Sequence, residues 1–170
     1  CKFLMKQGHL TADPTEALEA PFKRKRLPKV LSQHQTESLL ETDTPSKTPL
    51  RDKVILELMY SAGLRAAEVV SVRLNDIDFA SHTLAVEGKG SKQRVCVFGR
   101  PCAEAIHGYI HKERPKPRVE NAPLLIGLKG AGLTTRTVQN VVKRWCVQAG
   151  LPPETSPHTL RHSFATHLLD

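Results

Sequence analysis

No apolar run in this 170-residue chain approaches the length of a membrane span, and no secretory signal opens it. A bilayer-spanning protein and a secreted disulfide scaffold are therefore both poor readings. The four cysteines, Cys1, Cys96, Cys102 and Cys146, form no C-x-x-C pair and no zinc spacing. They predict reduced, mostly structural thiols in a cytoplasmic protein. Acidic side chains are in deficit: 17 Asp plus Glu face 25 Lys plus Arg, a formal charge of +8. That imbalance points to a polyanionic partner such as nucleic acid. Internal repeats and low-complexity tracts are absent, and tyrosine is confined to Tyr60 and Tyr109.

What is present suits one full-sized domain with a hydrophobic core. "CKFLMKQGHL" reads as the last turns of a helix ending near Gly8. "APFKRKRLPKV" follows, with two prolines bracketing the basic tetrad Lys23, Arg24, Lys25 and Arg26. Such a stretch cannot be a helix interior. Residues 1–19 then read as the tail end of a preceding helical region, 20–30 as a basic interdomain linker and 31–170 as the main domain. A solvated loop is the plain reading of the tetrad, and a segment lying over DNA phosphates the functional one.

Helical signals follow in close order. Ser32 with Gln35 makes a capping box for a helix through about Leu40, and Thr48 with Pro49 opens another. In that second helix Leu50, Val54, Ile55, Leu58 and Met59 should face inward, with Gly63 as the stop. "LRAAEVVSVRL" restarts the helix. "HTLAVEG" and "QRVCVF" read as two strands joined by "GKGSK". Pro101 opens a helix to about Glu113, "RPKPR" is a loop, and Thr134 or Thr135 starts a helix carrying Val138, Val141, Val142 and Trp145 that Gly150 ends. The last segment, "SPHTLRHSFATHLLD", has Ser156 as N-cap, Pro157 at the first helical position and an apolar stripe of Leu160, Phe164 and Leu168. The fold class is α+β: a mainly helical domain with a small antiparallel sheet. The open first residue, Cys1, and the uncapped end at Asp170 predict a chain cut at both ends.

Four basic side chains stand at element ends: Arg65, Lys89, His158 and Arg161. Each has an ordinary explanation. Arg65 with Glu68 is an i, i+3 helix pair, Lys89 is an exposed turn lysine, and His158 caps its own helix. Together, and in order, "YSAGLRAAEVVSVRLNDIDF", "LAVEGKGSKQRVCVF" and "SPHTLRHSFATHLLD" resemble the signature boxes of the tyrosine recombinase (phage integrase) family, with the Xer type nearest. The resemblance runs from about Leu27 to the end, and it implies that residues 1–19 are the tail end of an N-terminal helical DNA-binding domain and 31–170 a catalytic domain truncated at its C-terminus. It implies that Arg65, Lys89, His158 and Arg161 converge on a scissile DNA phosphate, and that Glu68 orients an arginine.

Chemistry explains those residue types. Two guanidiniums meet the charge of a pentavalent phosphorus and grip its oxygens bidentately. Lysine on a hairpin turn can protonate the leaving deoxyribose oxygen when neighbouring cations lower its pKa. Lys89 is the expected general acid and His158 an acid/base and phosphate-binding partner. Lys92 and Arg94, flanking the hairpin turn, join the basic tetrad as expected DNA-binding residues. No metal or other cofactor is required. The family's nucleophile is a tyrosine carboxy-terminal to H-x-L-R that forms a 3′-phosphotyrosyl intermediate; both tyrosines here precede Pro157, and neither is a candidate. The expected activity is site-specific recombination of double-stranded DNA by cleavage and rejoining. It would run in a tetrameric synapse with sister recombinase subunits, in a bacterial nucleoid-associated protein. The alternative is a non-catalytic DNA-binding fragment or a degraded copy.

Two features depart from the pattern: Ala67 stands where serine is common, and "VCVFGRP" lacks a proline after the second strand. Type IB topoisomerases share the chemistry, but the Xer-like boxes favour recombination. A metal site of His158, His162 and His167 is disfavoured, because no glutamate accompanies the first histidine and Arg161 adjoins His162.

Overall fold

The computed structural model describes residues 2–9, 11–12, 30–43, 45–87 and 93–169. Among the described residues, seven helices accompany a small sheet: α1 (Lys2–Lys6), α2 (Gln33–Glu41), α3 (Pro49–Ser61), α4 (Ala66–Ser71), α5 (Arg100–Lys112), α6 (Thr135–Gln148) and α7 (Pro157–His167). A 3-10 turn, Leu74–Asp76, leads into strand β1 (Ile77–Asp78), followed by β2 (Thr83–Glu87) and β3 (Gln93–Val97). The strands are antiparallel in the order β1-β2-β3, with Leu84 opposite Cys96 and Val86 opposite Arg94. The two expected strands are there, and the short β1 was not expected. Most of the basic tetrad's surroundings, Lys23 to Arg26 included, and the hairpin turn with Lys89 and Lys92 lie outside the described residues.

Helix α3 is the spine. Its Val54, Ile55, Leu56, Leu58 and Met59 are fully buried, and α5 and α7 pack against it. Burial of each such side chain contributes about 1.5–3 kcal/mol. Capping at α2 follows the sequence: Gln35 N–H donates to Ser32 Oγ at 3.2 Å, and Ser32 N–H donates to Gln35 Oε1 at 2.9 Å. At α3 the position follows the sequence but the chemistry does not. Thr48 makes no side-chain cap. Instead the Glu113 carboxylate, just past α5, accepts from Leu50 N–H at 3.0 Å and Arg51 N–H at 2.9 Å. A negative charge there also favours the positive end of the helix dipole.

Three charged side chains are buried on α3 itself: Arg51, Asp52 and Glu57. Asp52 is fully buried and accepts from Arg51 Nη2 at 2.9 Å and Ser46 Oγ at 2.8 Å. Arg144 of α6 reaches the same carboxylate. The pair joins α3 to α6 across the core. Burial raises the thiols of Cys102 and Cys146, the latter to about 11, so both behave as inert small hydrophobes. Tyr109 is fully buried, and its hydroxyl accepts from Ile126 N–H at 3.2 Å.

The inward face of α7 corrects one expectation. Leu160 is fully buried, but Leu168 is 72% exposed and follows the helix. At 3.6 residues per turn a strict four-residue spacing drifts off the face, and the inward side continues through Ser163 and His167 instead. Leu31 N–H donates to Ser163 Oγ at 2.9 Å, and His167 Nε2 lies 3.0 Å from the Leu31 carbonyl oxygen. His167 Nδ1 lies 3.0 Å from Tyr60 Oη. With Nε2–H donating to the carbonyl, Nδ1 accepts from the tyrosine. The stretch before α2 is thereby clamped to α7, and both His167 nitrogens are engaged.

Gly63 ends α3 with φ +60°, and a Cβ there would lie 2.5 Å from two ring carbons of Phe164 on α7. Left-handed backbone and the close ring both require glycine. Gly63→Ala should therefore destabilise the protein by about 2 kcal/mol or more, a fall of about 4–8 °C in Tm. Thermal unfolding followed by circular dichroism checks this.

Candidate active site

Arg65 stands at the N-cap of α4, one residue past the Gly63-Leu64 turn that ends α3. Its backbone N–H donates to Glu68 Oε2 at 2.7 Å, and its Nη1 donates to Oε1 at 3.0 Å. The carboxylate, at the third position of the helix, reaches back to satisfy the N-cap N–H and holds the Arg65 guanidinium against the helix start. Glu68 is 7% exposed. Across from it, Arg94 of β3 donates from Nη1 to Oε1 at 2.7 Å and from Nη2 to Oε2 at 2.9 Å. This is a bidentate fork of the kind guanidinium and carboxylate geometry favours.

Arg161 enters from α7. Its Nη1 donates to the Gly63 carbonyl oxygen and stands 3.9 Å from Glu68 Oε2. Three arginines from three elements thus surround one buried carboxylate. Burial acts to raise the Glu68 carboxyl, but the Arg94 and Arg65 bonds and the Arg94 charge overcome it and hold it at about 2. Burial, and after it the Arg65 charge, lowers Arg161 from its ordinary value. Two guanidiniums held this close without a carboxylate each are an electrostatic cost that an arriving anion removes.

The cleft beside them, about 250 Å³, is lined by Arg65, Arg161, His158 and Ser156, with Gln139 and Lys143 from α6. His158 is exposed on the first turn of α7, where backbone N–H groups favour an anion. The structure brings together four of the sequence candidates, Arg65, Glu68, His158 and Arg161, and adds Arg94 through Glu68. Lys89, Lys92 and the tetrad Lys23, Arg24, Lys25 and Arg26 lie outside the described residues. Gln139 and Lys143 were missed by sequence reasoning. Their signal was present in the polar face of α6, opposite Val138, Val141, Val142 and Trp145.

A model of the phage integrase family matches residues 29–170. The chain belongs to that family. Among curated proteins, this integrase-family chain is 39% identical over 168 residues to tyrosine recombinase XerC of Haemophilus influenzae strain PittEE, covering 99% of the chain and 57% of that protein. It is 35% identical over 172 residues to tyrosine recombinase XerD of Lacticaseibacillus casei, covering 99% of the chain and 59% of that protein. The chain therefore spans somewhat over half the length of these relatives. Among solved structures it is similar to XerH site-specific recombinase bound to difH substrate in a pre-cleavage complex. That match has a TM-score of 0.73 and 28% identity, covering 85% of this chain and 44% of that one. The Tn1549 transposon integrase in complex with transposon right-end DNA shares the fold at a TM-score of 0.76 and 18% identity, covering 99% of this chain and 62% of that one.

The Glu68 cluster carries a pH signature. Its carboxyl lies near 2 in the folded integrase-family chain, against an ordinary 4.5. A depressed folded value contributes stability above pH 4.5, and that contribution is lost as pH falls towards 2. Urea midpoints compared at pH 6 and pH 2.5 should therefore drop further for the native chain than for Glu68→Gln.

Proposed function

We infer that this chain supplies the phosphate-gripping part of a site-specific tyrosine recombinase, which cleaves and rejoins double-stranded DNA through a 3′-phosphotyrosyl intermediate. One observation carries the reading: Arg65 and Arg161, from separate elements, meet at one carboxylate and open with His158 onto the same cleft. In the pentavalent state the two guanidiniums hold the non-bridging oxygens and His158 adds a third donor. Lys89 protonates the departing 5′ oxygen. The attacking tyrosine follows Arg161 in the family.

Neither tyrosine of this sequence takes that role. Tyr109 is buried. Tyr60 is bound to His167 and its phenol is raised, first by burial and then by the Glu37 and Glu57 charges. The 170 residues by themselves should bind DNA without covalent capture. A tetrameric synapse with sister subunits, the division at residues 20–30 and a nucleoid-associated cytoplasmic location are further parts of this proposal. No helix among the described residues is long and apolar enough to cross a membrane.

The α6 face supports a DNA interface. Arg136, Gln139, Asn140 and Lys143 are all exposed and recur at helical spacing. Arg, Gln and Asn are the side chains that grip base edges bidentately, and lysine suits phosphate.

Three results would test the reading. The chain should bind a duplex with a log K against log salt slope near −4 to −5, if it neutralises about five phosphates; a slope near zero removes the DNA reading. In a form extended past Asp170 to carry the family's tyrosine segment, Arg161→Ala and Arg65→Ala should each cut covalent adduct formation on a suicide substrate by about 10²- to 10³-fold or more. Affinity should change far less. Equal losses in rate and affinity would reduce both to ordinary phosphate contacts. Lys89→Ala should be rescued by a 5′-thiol leaving group, which needs no proton.

A further inference from the structure

Arg94 stands five residues past Lys89, on the strand that leaves the hairpin turn, where a DNA-phosphate contact is the obvious role for a basic side chain. Its side chain points elsewhere. Both Nη groups are committed to Glu68, one to each carboxylate oxygen, at 2.7 and 2.9 Å. Each Glu68 oxygen accepts one further bond from Arg65, at 3.0 Å from Nη1 and 2.7 Å from the backbone N–H. A carboxylate offers about four acceptor positions, and here all four are filled. Arg161, also beside this carboxylate, is left only a 3.9 Å contact, and its Nη1 turns to the Gly63 carbonyl oxygen.

We propose that Arg94 is a positioning residue, the permanent counter-ion of Glu68, which keeps that buried carboxylate from capturing Arg161 and from repelling the phosphate. Without Arg94, two acceptor positions on Glu68 fall open within reach of Arg161. The carboxylate then competes with DNA for the guanidiniums meant to grip it. Counting charges, Arg65, Arg94 and Arg161 with Glu68 leave the cluster at +2. Removing Arg94 leaves it at +1 and redirects part of what remains. Lysine could supply the charge but not the two-pronged fork. Because β3 carries Arg94, the same pair ties the β2–β3 pair of strands to the start of α4.

The inference rests on the phosphate-clamp reading, so its test separates the two. A double-mutant cycle is measured by anisotropy on a labelled 20-base-pair duplex at fixed salt. Arg94→Gln should weaken binding by about tenfold or more in the native background and by less than about twofold in the Glu68→Gln background, because the carboxylate to be neutralised is gone. Equal losses in both backgrounds, with the salt slope reduced by about one, would make Arg94 a phosphate ligand and overturn the proposal.

A second measurement needs no DNA. The carboxyl-carbon NMR signal of Glu68 should stay flat from pH 6 to 3.5 in the native chain. In Arg94→Gln its midpoint should move up by about one pH unit or more. The charged groups on Glu68 are Arg65 of its own helix, Arg94 of β3 and Arg161 of α7; Cys96 of β3 faces Arg94 and Arg161, and His158 and Lys143 line the cleft beside Arg65 and Arg161. All except Arg94 are the same in both proteins, so the difference belongs to Arg94. An unmoved midpoint overturns the proposal, whereas salt-independent DNA binding with a moved midpoint overturns only the clamp reading. Should Arg94→Gln fail to fold, Arg94→Lys, which keeps the charge without the fork, should give an intermediate loss in the same cycle. No loss with lysine would overturn the need for the fork.

Discussion

The site depends on one buried carboxylate. Glu68 caps α4 through the Arg65 N–H, fixes the Arg65 guanidinium, and receives the fork from Arg94. Taking a carboxylate out of water costs several kcal/mol unless its lone pairs are filled, and here the four bonds fill them. The same arrangement crowds positive charge beside a cleft whose lining, among the described residues, includes no acid. An anion placed there would meet donors from two sides, and in the proposed function that anion is a DNA phosphate.

The carboxylate can do this only because α7 is brought against the α3-α4 junction. Gly63 makes the junction possible: its left-handed backbone turns the chain, its missing Cβ makes room for Phe164, and its carbonyl oxygen receives Arg161. At the other end of α7, Ser163 and His167 hold the backbone of Leu31 while Tyr60 holds His167. From His158 to His167 is nine residues, about 13 Å along a helix. One helix therefore connects Leu31, just ahead of α2, to the side chains that face the cleft.

Local features were legible in the sequence. The Ser32–Gln35 box, proline at the starts of α3 and α7, glycine stops at 63 and 150, and the β2–β3 pair are each set by a few adjacent residues. The clustering of Arg65, Glu68, His158 and Arg161 was legible through the family boxes. Partnerships between distant residues were not. Glu113 caps α3 from 63 residues away, and Ser163 reaches Leu31 across 132. Arg94 read as a DNA contact because a basic residue beside a hairpin turn carries no sign in the sequence of the buried acid it faces. The α7 stripe was misplaced at Leu168 because the inward face there is completed by polar residues whose partners lie far off in the chain.

The most direct measurement is a structure of the chain bound to a DNA duplex, read at the phosphate nearest the Gly63-Leu64-Arg65 turn. The account predicts that Arg65 and Arg161 both donate to oxygens of that one phosphate, while Arg94 remains forked on Glu68. Arg65 and Arg161 on different phosphates, or Arg94 released from Glu68 to hold the DNA, would contradict it.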